Sequence, residues 1–221
     1  MSSTDRLYCS DADPRRALIE AMARSCMERG YEDTTIDGLL AATGLGRATF
    51  EQWFADKEAC GLAAVDAILA EGLAAVFETF SGDIAEGESV LRGLVALVDL
   101  FAEQPAMASL AMIDSRQRMP RAAHERYASG FAMLIAMVDG LRTNAGAGGE
   151  PPPCAALAAL GGSEAIVRRE IAHGRASALR RLLPDLIYSA LVPFLGQREA
   201  LRIARQGQRL AESHRFQSES R

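Results

Sequence analysis

Apolar residues recur at spacings of three and four along most of the chain, and this period predicts helices from Pro14 almost to the C-terminus. Pro14 suits a first helical position, and the run after it places Leu18, Ile19, Met22, Ala23 and Cys26 on one stripe before Gly30, which reads as a left-handed terminator. Two short helices follow, joined by a tight glycine turn. In the first, Thr34 or Thr35 supplies the cap and Ile36, Leu39 and Leu40 an inward edge, until Gly44 stops it. The second runs from Arg47 to Phe54, with Phe50, Trp53 and Phe54 towards the core and Arg47, Ala48, Glu51 and Gln52 outside. This is helix-turn-helix anatomy, in which the second helix enters the major groove.

Asp56 caps a fourth helix that reaches about Phe80 and carries Ala63, Ala64, Ile68, Leu69, Leu73, Val76, Phe77 and Phe80 on its apolar side. After a turn at 81–87, a fifth helix from Ser89 to Glu103 holds an unbroken apolar run, Leu94 to Val98, which requires a central position. Pro105 opens a sixth helix that stops before Pro120, and a seventh runs from Arg121 to about Arg142. A Gly/Pro-rich loop from Asn144 leads to an eighth helix, about Cys154 to His173. A ninth spans Ala176 to Leu195, where Pro184 and Pro193 predict a bend or a division, and a polar tenth covers 197–213. The expected fold is all-α with nine or ten helices: a mobile arm (1–13), a three-helix head (14–55), a larger helical body (56–214) and a short tail.

The order Thr34, Thr35, Ile36, then Ala42, Gly44, Leu45, then Thr49, Phe50, Phe54, then Lys57, Glu58, preceded by Arg29, Gly30 and Tyr31, resembles the start of tetracycline-repressor-like (TetR family) transcription regulators. The resemblance covers residues 15–62. It implies a homodimeric repressor that reads double-stranded operator DNA and is released by a small hydrophobic effector. Its dimer interface would be a four-helix bundle from the helices near 154–173 and 176–195, and its fourth helix would carry the switch. The same resemblance nominates Thr35, Arg47, Thr49, Gln52, Trp53 and Lys57 as DNA contacts, although Trp53 equally suits packing and Lys57 equally suits plain solvation. Glu51 departs from the pattern, since a tyrosine is common there; a carboxylate repels phosphate, but it can accept from a cytosine amino group or pair with Arg47. Gly38, Leu40 and Gly46 are further departures, of which Gly38 costs the helix about 1 kcal/mol.

Charge complicates this reading. The net charge is −5, and from Pro14 to Cys60 six basic residues face eight acidic ones. Phosphate neutralisation drives non-specific DNA affinity. DNA contact must therefore come from local placement and from two linked heads acting together. At 49% hydrophobic content the chain has enough apolar mass for a core. It has neither a run of about 18 uncharged apolar residues nor an apolar N-terminal leader, so a soluble cytoplasmic protein without membrane contact is expected.

Cys9, Cys26, Cys60 and Cys154 are too scattered for a zinc site or a disulfide framework. Cys26 falls on the first helix's stripe and reads as a small core hydrophobe. Glu170 and His173 form a single Glu-x-x-His with no second copy, and no nucleophile elbow, phosphate loop or HExxH occurs. We therefore expect neither an enzyme nor a cofactor or metal. Met and aromatic residues concentrate in helices four to seven, and while most must be core, they also suit an apolar ligand pocket between helices four and eight. Phe77, Phe80, Phe101, Met112, Tyr127 and Phe131 are its candidate lining, with Arg92, Asp99, Asp114, Arg116 and Tyr127 as candidate orienting groups. The competing reading is an all-helical dimer that binds a small molecule or protein and has weakened DNA affinity.

Overall fold

The computed structural model describes residues 13–80, 86–141 and 151–218. The N-terminal arm with Cys9, most of the 81–87 turn, most of the loop from Asn144 and the end of the tail lie outside the described residues. Among the described residues, regular structure is entirely helical.

Helix α1 (Pro14–Arg29) begins on Asp13, whose carboxylate accepts from the Arg15 amide at 3.0 Å. It buries Leu18, Ile19, Met22, Ala23 and Cys26, the stripe read from spacing. Its terminator Gly30 has φ 88° and ψ 161°, so it is not left-handed helical; the chain turns straight into an extended region open only to glycine. Thr34 and Thr35 divide two tasks. Buried Thr34 donates to the Gly30 carbonyl at 2.9 Å, and Thr35 caps α2 (Ile36–Thr43) by accepting from the Gly38 amide at 3.1 Å. Gly44 at φ 70°, ψ 10° does take the left-handed form and turns the chain into α3 (Arg47–Trp53). Phe50 and Phe54 plug the head's core with ring centroids 5.7 Å apart.

Asp56 caps α4 (Lys57–Thr79), and that helix continues from the head into the body. There it packs on α5 (Glu86–Glu103) and α7 (Arg121–Asp139). Helix α5 starts earlier than its sequence indicated and is central as expected, lying between α4 and the C-terminal helices. Between α5 and α7 runs α6 (Pro105–Gln117), whose middle, Leu110–Asp114, is π-helical, a feature with no sequence signature. Helix α8 (Ala155–Ala172) and a 3₁₀ turn (Ala176–Ala178) lead to the last helical stretch, Leu179–Ser218.

Pro184 and Pro193, where a bend or a division is expected, both lie inside helix and neither divides it; the break comes instead at the expected boundary between the ninth and tenth helices. The break falls at Gly196 (φ 75°, ψ 166°), giving α9 (179–195) and α10 (197–218). Each proline removes one amide, whereas glycine alone accepts the positive φ that a sharp change of direction needs. Helix α10 also runs past the expected end at 213.

Candidate functional site

Two regions correspond to the two functions read from the sequence. The outer side of α3 presents Arg47, Ala48, Glu51, Gln52 and Trp53, all exposed, with Thr49 half-buried at its edge. Trp53 was expected to point inward and is 48% exposed. Phe50 and Phe54, four apart, occupy the inner side between them, and Trp53 is rotated off it. Arg47 pairs with Asp37 of α2, not with Glu51, so its guanidinium is tied across the turn at the surface. Lys57 is also engaged: its Nζ donates to the carbonyls of Tyr31 (3.0 Å) and Glu32 (3.3 Å) and lies 4.4 Å over the Tyr31 ring. The first turn of α4 is thereby fastened to the loop between α1 and α2.

The second region is a cavity of about 110 Å³ inside the body. Ile68, Leu69 and Leu73 of α4, Leu94 and Leu97 of α5, and Leu134 of α7 supply much of its wall. Its polar lining is confined to Tyr127, Ser163 and Glu164. Tyr127 is buried, stacks on Phe131 at 6.3 Å and donates its hydroxyl to Glu164 Oε1 at 3.2 Å. Burial and the neighbouring carboxylate both raise the Tyr127 hydroxyl's pKa, so it stays a donor. Arg116 and Arg168 approach the same Oε1 at 3.3 and 3.4 Å.

No protein-family model matches the sequence, and no curated protein matches it significantly. Solved structures do match. The fatty acid degradation regulator FadR from Bacillus halodurans superposes with a TM-score of 0.68 at 12% identity, covering 80% of this chain and 96% of its own. TylP, a TetR regulator from Streptomyces fradiae, gives 0.62 at 18% identity over 91% of this chain and 96% of its own. The regulatory protein TetR from Rhodobacter sphaeroides gives 0.57 at 16% identity over 77% and 96%.

The chain has the TetR-regulator fold. Within that fold the two sets of candidate residues fare differently. On the TetR-like head, Gln52 and Trp53 are exposed together on α3 with Arg47 at its start, while Thr35 is committed to capping and Lys57 to its latch. In the body, Phe101, Met112, Tyr127 and Phe131 do line the cavity. Phe80 lines instead a smaller adjoining space of about 40 Å³, and Phe77 is 49% exposed and lines neither. Phe77 follows buried Val76 by one residue, which carries it outward, about 100° round the helix.

Of the candidate orienting groups, Arg92 pairs with Glu88, Asp99 with Arg180, and buried Asp114 with Arg118, all away from the cavity. Only Tyr127 lines it, and Arg116 connects to it by way of Glu164. Sequence reasoning missed Glu164 altogether; its one signal was a lone carboxylate on the apolar-edged stretch Gly161–Val167, 37 residues from Tyr127. Glu170, of the single Glu-x-x-His, is committed to Arg175 at 2.7 Å, which holds its carboxyl down at about 2. Cys26 and Cys60 are core residues whose thiols burial pushes up to about 11 and about 12.

Proposed function

We propose that this protein is a homodimeric DNA-binding transcriptional repressor released by a small apolar effector. One observation carries the reading: α4 lines the cavity with Ile68, Leu69, Gly72 and Leu73, and its first residue, Lys57, is latched to the head. A ligand that displaces those side chains acts on the same rigid element that poses the head. A continuous helix transmits such a displacement over its length, about 35 Å for 23 residues. Outer residues of α8 such as Leu157 (55% exposed), with open space over Gly161 and Gly162, and half-buried Tyr188 and Val192 on α9, support the dimer contact. On the head, Arg47, Thr49, Gln52 and Trp53 are the residues we assign to DNA, Gln52 to an adenine edge and Arg47 to guanine or phosphate.

The competing reading, a helical effector-binding dimer with weakened DNA affinity, is favoured by Glu51. It is exposed in the middle of α3's outer face and has no ion pair among the described residues. Selection of genomic DNA fragments on the purified full chain at low salt, with a salt titration, decides between them. An enriched palindromic site that Arg47→Ala weakens supports the repressor, and no enriched site at low salt refutes it.

A further inference from the structure

The body cavity and the smaller space beside it share a ring of leucines. Leu94 and Leu97 of α5, Leu134 of α7 and Leu160 of α8 wall both the cavity of about 110 Å³ and the adjoining space of about 40 Å³. Both spaces follow the same three helices. On α4, Ile68 and Gly72 of the larger space are continued in the smaller one by Val76 and, at the helix end, Phe80, a stripe of fours about 18 Å long. Helix α5 runs the opposite way, with Leu97 beside Gly72 and Gly93 beside Val76, and passes from Phe101 in the larger space to Val90 in the smaller. Helix α7 passes from Tyr127 to Val138 over about 16 Å. The two spaces therefore lie end to end along the bundle.

Polarity changes along the same axis. Tyr127, Ser163 and Glu164 line the larger space, whereas the smaller one is lined, among the described residues, by apolar side chains and Gly93. Size limits what fits. An apolar cavity of roughly 150 Å³ takes the six carbons of benzene, so about 110 and 40 Å³ correspond to about four carbons and about two. A ring is confined to the larger space, whereas a linear chain occupies both.

Gly93 stands at the far end without a packing reason to be glycine. A methyl there would meet Thr79 Oγ1 and Val76 Cγ1 at 3.4 Å, an ordinary contact, and would favour the helix. At Gly72 and Gly130, which line the larger space, it would come within 3.2 and 3.1 Å of leucine side chains.

We infer that the two spaces form one channel for an unbranched aliphatic chain of about six carbons with a single polar end, and that Gly93 sets its length. This rests on the cavity being the effector site. Calorimetric titration of the full chain with the linear alcohols from 1-butanol to 1-nonanol, and with cyclohexanol, tests it. Affinity rises about fourfold per methylene up to about six carbons and then stops, and 1-hexanol binds about tenfold tighter than cyclohexanol. Gly93→Ala ends the rise about one methylene earlier and leaves 1-butanol unchanged.

A rise that stops at 1-butanol or continues to 1-nonanol overturns the inference, as does cyclohexanol binding as tightly as 1-hexanol. So does a Gly93→Ala variant that leaves the series unchanged or weakens 1-butanol and 1-hexanol alike. Each of these outcomes leaves the effector cavity standing. Binding of none of the alcohols removes the effector cavity itself, and the inference with it.

Discussion

Replacing Lys57 with methionine separates a structural latch from a DNA contact. The lysine opens α4, where the helix's positive end opposes a cation at a cost of about 0.3–1 kcal/mol. Against this it makes two charge-assisted bonds, to the Tyr31 and Glu32 carbonyls, and a cation–π contact at 4.4 Å. Half-exposed, each bond contributes about 1 kcal/mol and the ring contact about 0.5–1 kcal/mol. Methionine keeps the stem and loses all three contacts, leaving a net loss of about 2 kcal/mol. At this chain length that corresponds to a melting temperature lower by roughly 4–8 °C. Thermal unfolding of the full chain measures it, and the salt slope of operator binding is read alongside. A lysine engaged with the protein lowers stability and leaves the slope unchanged. The reasoning fails if stability holds while the slope drops by about one, the signature of a lost phosphate contact.

Trp53→Ala should leave stability within about 0.5 kcal/mol, because the side chain is largely in solvent, yet weaken operator binding about tenfold or more; a loss of 3–5 kcal/mol in denaturant unfolding would mean that it packs. Thr35→Ala removes the α2 cap and should cost about 1 kcal/mol by urea unfolding, whereas Thr35→Gly should cost less from the cap alone. The Glu170 carboxyl is held at about 2 by Arg175, below its ordinary 4.5, so the pair stabilises the fold above pH 4.5 and this contribution disappears as pH falls towards 2. Glu170→Gln should therefore melt below the unmodified chain at pH 7, with the gap closing across that window in a pH series of melting curves. A gap independent of pH would refute the ion pair's role.

Local sequence determined the helices and much of their punctuation. Apolar spacing marked the stripe of α1, Asp56 marked the start of α4, and Gly44 the turn between α2 and α3, because each acts within a few residues of itself. The head's architecture was legible for the same reason, as were Phe101, Met112, Tyr127 and Phe131 as cavity walls. Tertiary structure decided the rest. A helical stripe states a direction but not its width, so Trp53 and Phe77, both at stripe edges, turned outward once Phe50, Phe54 and Val76 had taken the interior. Pro184 and Pro193 were absorbed inside α9, while the break came at Gly196, where the expected ninth and tenth helices meet and the change of direction needs a positive φ. Lys57 found its carbonyls about 25 residues back, and Glu164 met Tyr127 and Arg116 from 37 and 48 residues away. No period or motif encodes such meetings; they exist only once packed helices bring distant turns together, and they settle which end of the cavity is polar and which cation holds the head.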